Sequence, residues 1–111
     1  MKNDATYLKY ILAMIERIEK AIVSGKEPFL ESHLHQDAVL RNLHTITETT
    51  QRLTTELKLA NPDVEWKTLS AFRNILVHDY LGIDVELVWT VVTTDIPVFK
   101  QRIIEILSGL E

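Results

Sequence analysis

No cysteine occurs in the 111 residues, which excludes a disulfide scaffold and a thiolate metal site and fits a reducing compartment such as the cytoplasm. Glycine and proline are scarce, three of each, and most fall where breaks between regular elements are expected. No apolar run is long enough to cross a bilayer. The opening stretch MKNDATYLKYILAMIERIEK carries charges throughout its apolar pattern, so it reads neither as a signal peptide nor as a membrane span. Positive charge is not in excess: 12 Lys and Arg stand against 16 Asp and Glu, a net charge of −4. That balance argues against a broad, sequence-blind nucleic-acid surface and leaves room only for a small local basic site. Also missing are a glycine-rich phosphate loop, a nucleophile elbow and paired catalytic carboxylates. What remains is ordinary for a globular chain, 46% hydrophobic and 25% charged, with a length that suits one domain over residues 1–111 and a real core.

Periodicity supplies the architecture. Over residues 4–24, Leu8, Ile11, Leu12, Ile15, Ile18 and Ile22 recur at spacings of three and four and form one apolar stripe. Asn3 or Asp4 can cap its start, and Gly25 sits where a helix ends. A long second helix is expected from about 31 to 59, with Leu40, Leu43, Ile46, Leu53 and Leu57 buried and Thr47, Thr50 and Thr54 beside them. Asn61-Pro62 ends it. Asp63 can cap a third helix whose Trp66, Leu69, Phe72 and Leu76 face inward, with Gly82 closing the segment. Asp84 can start a fourth, carrying Val85, Val88, Trp89, Val92, Ile96, Phe99, Ile103 and Ile106 on one side. VWTVVTTDIP could be a strand on propensity alone, but the helical spacing continues through it. Pro97 should kink or restart that helix, with Thr94 or Asp95 as the local cap. The expectation is all-α, an antiparallel bundle of four main helices.

One stretch carries chemistry. FRNILVHDYLG, residues 72–82, sets Arg73, Asn74, His78 and Tyr80 among apolar neighbours. On a helix, Arg73 and Tyr80 nearly eclipse each other, and Asn74 and His78 share the adjacent face. Arg73 and His78 diverge unless the helix loosens, and its end is near. The dipole there favours a charged histidine. Spacing alone does not make a site. Arg73 fits an ordinary salt bridge, His78 a C-terminal cap and Tyr80 an aromatic that packs.

RNILVHDY nevertheless resembles the R-x4-H-x-Y signature of HepT-type HEPN proteins, the toxin half of HEPN–MNT toxin–antitoxin modules. The Trp-containing start of the same helix, the GID turn and the VW…DIP final helix resemble the family too. DAVLRNLHTITETTQRL is similar to its preceding long helix, with Thr47 and Thr49 where the family pattern has Gly and Ala around Glu48. The likeness spans nearly the whole chain. It implies a metal-independent endoribonuclease that needs no cofactor and acts as a homodimer, the motif helices of two chains meeting in a shared cleft. On this sequence it makes Arg73 and His78 the catalytic pair, with Asn74, the polar residue after the arginine, a third catalytic residue able to orient the imidazole or the phosphate. Tyr80 becomes the tyrosine that a partner MNT-type nucleotidyltransferase antitoxin modifies with AMP. The chemistry suits RNA. The 2′-hydroxyl is an internal nucleophile, an imidazole can move its proton, and a guanidinium can take phosphate oxygens in a fork. One histidine per chain is thin for acid–base work, and a symmetric dimer would supply two. AMP on Tyr80 would add bulk and negative charge at the cleft. A different class of reading makes the chain a non-catalytic module that only binds the nucleotidyltransferase and accepts AMP. A third makes it a plain helical interaction protein.

Other candidates are weaker. Asp37, Arg41, Thr45 and Glu48 form one polar stripe. It reads either as exposed i,i+4 pairs or as a source of a partner for Arg73, through Glu48 or Arg41. His33, His35, Asp37 and His44 have spacings from which a metal site is conceivable, but no three ligands of defined geometry stand out, and no metal is expected. Trp66 and Trp89 lie on apolar stripes and read as core.

Overall fold

The computed structural model describes residues 3–78 and 82–111, and of residues 77 and 78 the backbone alone. Helix α1 runs Asp4–Ala21. Asn3 caps it, its Oδ1 accepting the Thr6 N–H at 3.0 Å. The predicted stripe is the buried one: Leu8, Ile11, Ile15 and Ile18 are fully shielded from solvent. The helix stops at Ala21, before the predicted residue 24, and Gly25 does not end it. With φ at 105°, Gly25 instead sits ahead of a short helix α2, Lys26–Glu31, which buries Phe29.

α2 and α3 (His33–Gln51) are separated by Ser32 alone. Its backbone is extended, and its Oγ accepts the His35 N–H at 3.2 Å, starting the new helix. Buried Gln36 reaches back from α3, and its Nε2 donates to the carbonyls of Phe29 and Leu30, both at 3.0 Å. Two carbonyls at the C-terminal end of α2 are thereby satisfied.

The continuous helix expected over 31–59 is two helices. α3 ends at Gln51, and α4, Thr55–Ala60, begins after a break at 52–54. The break centres on Thr54. Thr54 adopts an extended backbone, and its hydroxyl accepts the Leu57 N–H at 3.2 Å. Its own N–H and hydroxyl donate to the Asp4 carboxylate at 2.9 and 2.6 Å, across 50 residues of sequence. Upstream, the hydroxyls of Thr45, Thr47, Thr49 and Thr50 all bond to carbonyls of the preceding turn, which weakens a helix's hold on its own ladder. Leu53 and Leu57 stay buried across the break, so the apolar pattern persists through it, while Thr54 is exposed.

α5 runs Trp66–His78. It starts later than a cap at Asp63 implied; the Asp63 carboxylate is taken by Arg102 Nε at 2.6 Å. Trp66 Nε1 donates to the Asn61 carbonyl at 3.1 Å, and its ring stands edge-on to Phe99. Leu76 is buried, and Leu69 and Phe72 pack partly buried against the core.

Asp84 caps α6, Val85–Thr90, as predicted, its Oδ1 accepting the Glu86 N–H at 2.9 Å. The segment that could have been a strand is helical. Val91–Asp95 forms a π-helical turn that leads directly into α7, Ile96–Leu110. The irregularity expected at Pro97 therefore takes the form of a widened turn in which Ile96 N–H bonds to the Val91 carbonyl. Neither Thr94 nor Asp95 caps a restarted helix: Asp95 stays helical and makes no side-chain cap. Pro97 has no N–H for the carbonyl one turn back, and the wider turn accommodates its ring without unwinding the chain.

α1 packs along α3 on one side and α7 on the other, and α5 packs on α3. Directions follow from the cross-links. Asp4 at the start of α1 meets Thr54 just beyond α3, so α1 and α3 are antiparallel. Lys9 pairs with Glu111 and Glu19 with Lys100, so α1 and α7 are antiparallel as well. The result is an all-α bundle, and among the described residues no strand occurs.

Candidate active site

Packing of α5 on α3 brings Arg73 to Glu48 across 25 residues of sequence. Two donors of the guanidinium, Nε and Nη2, reach the same oxygen, Glu48 Oε1, at 3.0 and 2.8 Å. Nη1 points toward the Asn74 side-chain oxygen at 3.4 Å, a weak contact. A guanidinium has five N–H groups, so hydrogens on both terminal nitrogens are left for another anion. The Arg73 side chain is 28% exposed and that of Glu48 38% exposed, so the pair is shielded on one side and open on the other. That combination pins an arginine without hiding it.

Glu48 has a second neighbour. His44, one turn earlier on α3, places Nε2 3.3 Å from the same Oε1, without the alignment of a hydrogen bond. The hydrogen bond from Arg73 is the main reason the Glu48 carboxyl is held below its ordinary pKa. The Arg73 charge and the His44 contact act in the same direction, and partial burial opposes them.

Of the residues singled out in the sequence, the structure brings Arg73, Asn74 and Glu48 together. Arg41 is exposed and takes no part in this cluster; its carbonyl accepts the Thr45 hydroxyl at 3.0 Å. The backbone of His78 is helical and belongs to α5, while the helix terminus expected at DYLG lies outside the described residues. The His78 side chain and Tyr80 lie outside the described residues. The histidines of α3 are dispersed: His35 Nδ1 sits 2.7 Å from Ser32 Oγ, whereas His44 faces Glu48. Among the described residues no three His, Asp or Glu side chains gather as metal ligands do. His44 was considered in the sequence only as a metal ligand. The signal for its contact was its i,i+4 spacing to Glu48.

A cleft of about 480 Å³ lies between α3, α5 and the π turn with α7. Its walls are largely apolar, with Leu43, Ile46, Leu69, Phe72 and Phe99 among them and Asp63, Glu65, Asp95 and Arg102 also lining it, and neither Arg73 nor Glu48 lines it. The Arg73 cluster is thus a surface site beside the cleft.

The fold is an all-α bundle of the HEPN type, and in it a glutamate of one long helix holds the arginine of a neighbouring helix. The chain belongs to the ribonuclease HepT-like family, whose profile matches residues 11–106 and so includes Glu48, Arg73 and His78. It is 36% identical over 111 residues to a Methanocaldococcus jannaschii protein named gamma-glutamylcyclotransferase and putative RNase. That alignment covers 99% of this chain and 50% of the relative, so the chain spans half the length of that protein. It is 35% identical over 102 residues to the probable ribonuclease HepT of Thermococcus cleftensis, covering 91% of this chain and 93% of the relative. It is 30% identical over 109 residues to a putative RNase of Caldanaerobacter subterraneus, covering 97% of each chain. No solved structure matches the chain.

Proposed function

We propose that the chain is a metal-independent endoribonuclease whose Arg73 and His78 act on one scissile phosphate. The observation that carries this reading is the clamp on Arg73. A carboxylate fixes the Nε side of the guanidinium and leaves hydrogens on its terminal nitrogens toward solvent. A phosphate arriving there meets a preoriented fork, the arrangement that stabilises charge building on phosphate oxygens in the transition state. His78, five residues on in the same helix, is the proton-transfer group. It takes the proton of the 2′-hydroxyl as that oxygen attacks phosphorus. The 5′-oxygen leaves with a proton from an acid, and the product end is a 2′,3′-cyclic phosphate. Membership of a family whose name is ribonuclease, with relatives named as RNases, supports the substrate class.

The same reading extends to assembly and control. A homodimer with motif helices facing each other supplies the second histidine, one as base and one as acid. Ile75, on the same helix and 45% exposed, is apolar surface that such a partner would cover. Tyr80 is the AMP acceptor for a nucleotidyltransferase antitoxin, which makes the chain the toxin of a two-gene module. The test is cleavage of single-stranded RNA by purified protein in the presence of a chelator. Arg73→Ala and His78→Ala should each lose activity by ~10²-fold or more.

A further inference from the structure

The sequence motif leaves His44 without a role, and the structure sets it against the clamp. Glu48 Oε1 already takes two N–H groups of Arg73, and His44 Nε2 stands 3.3 Å from that oxygen. This nitrogen is shut off from solvent and has no aligned hydrogen-bond partner, although the side chain as a whole is 45% exposed. The imidazolium would set a positive charge beside the carboxylate, whereas the neutral ring sets none there.

The charge count then depends on one proton. With His44 neutral, Glu48 and Arg73 cancel, and a phosphate approaching the arginine meets a carboxylate directly behind it. With His44 protonated the cluster is net positive. That charge offsets the carboxylate of Glu48 and leaves the charge of Arg73 free for an incoming anion. On a chain of net charge −4, one added positive charge at the phosphate site is a large local change.

We infer that His44 is a positioning residue of the phosphate site, acting through Glu48 so that its protonated form strengthens the grip of Arg73 on RNA. This rests on the ribonuclease reading given above. The charged groups that meet His44 among the described residues are Glu48 from its own helix and, across Oε1, Arg73 from α5. On the other flank of α3, α1 directs its charges elsewhere. Lys9 goes to Glu111, Lys20 to Glu16, Glu19 to Lys100 and Asp4 to Thr54, while Arg17 is exposed.

The test measures equilibrium binding of a single-stranded, fully 2′-O-methylated oligoribonucleotide, which cannot be cleaved, by the full chain between pH 5.5 and 8 at fixed ionic strength. To remove the motif histidine, the series is run in His78→Ala. The parent should bind roughly three- to tenfold tighter at the acid end, the effect of one added charge near the bound phosphate. His44→Gln should bind weakly and without that slope, and His44→Lys should bind tightly at every pH. His35→Gln, a histidine already held by Ser32, should keep the slope. A slope that survives in His44→Gln overturns the inference, as does a parent that binds RNA with no slope. In both cases the ribonuclease reading stands. If the protein neither binds nor cleaves RNA at any pH, that reading fails and takes this inference with it.

Discussion

Glu48→Gln isolates the charge of the clamp from its shape. Glutamine keeps an oxygen where Oε1 stands, so Arg73 retains an acceptor, but the attraction between full charges is lost. The pair is short, 2.8 Å at its closest, and both side chains are partly exposed, at 28% and 38%. Partial exposure sets the stability cost near that of a good surface pair, about 0.5 kcal/mol, or a fall in Tm of roughly 2 °C. The pH dependence has a definite sign. The folded carboxyl sits below its usual 4.5, chiefly because Arg73 donates to it. Its contribution is therefore present above about pH 4.5 and is lost as pH falls through the folded value. Urea denaturation at pH 7 should show the variant less stable than the parent, and at pH 3 the difference should shrink. Function should split. RNA binding tightens, because a carboxylate no longer lies behind the phosphate. The maximal cleavage rate falls by about tenfold, because the guanidinium is held less firmly. A variant with an unchanged cleavage rate, or a stability gap that widens toward low pH, would refute this account of the pair.

Ile46 is fully buried on α3, and Ile46→Ala should cost roughly 2–5 kcal/mol, read as a shift of the urea midpoint at constant slope. Thr54→Ala removes the α4 cap and the hydroxyl bond to Asp4 while keeping the backbone N–H bond, and should cost about 1 kcal/mol in thermal unfolding. Asp4→Ala should cost a similar amount, and the double variant less than the sum, since the two changes remove one shared contact. Under the proposed toxin reading, co-expression with an MNT-type nucleotidyltransferase should add the mass of AMP to the peptide containing Tyr80. Tyr80→Phe should stay unmodified, and modification of that variant would place the acceptor elsewhere.

Much of the fold was legible because burial follows spacing. Leu8, Ile11, Ile15 and Ile18 recur at helical intervals and are the residues the core encloses. Two features escaped for the same reason. Leu53 and Leu57 keep the apolar rhythm across the break at 52–54, so periodicity runs through a point where the helix stops. The break depends on Asp4, a contact across 50 residues that no local pattern encodes. Pro97 announced an irregularity, but a cap and a π turn both accommodate a missing N–H, and only packing selects between them. At the site, the 25-residue gap between Glu48 and Arg73 is bridged by tertiary packing. The polar stripe on α3 offered both Glu48 and Arg41 as partners, and the geometry joins Glu48 to the arginine. His44 is a contact of Glu48 that its spacing permitted but did not require.

The central claim is that a clamped guanidinium and an imidazole from one helix cut RNA without metal. The most direct measurement incubates purified protein with end-labelled single-stranded RNA in excess chelator and resolves the products, with Arg73→Ala and His78→Ala alongside. The account predicts fragments ending in 2′,3′-cyclic phosphate from the parent and almost none from either variant. Cleavage that needs an added divalent ion, or that persists at full rate in Arg73→Ala, would contradict it.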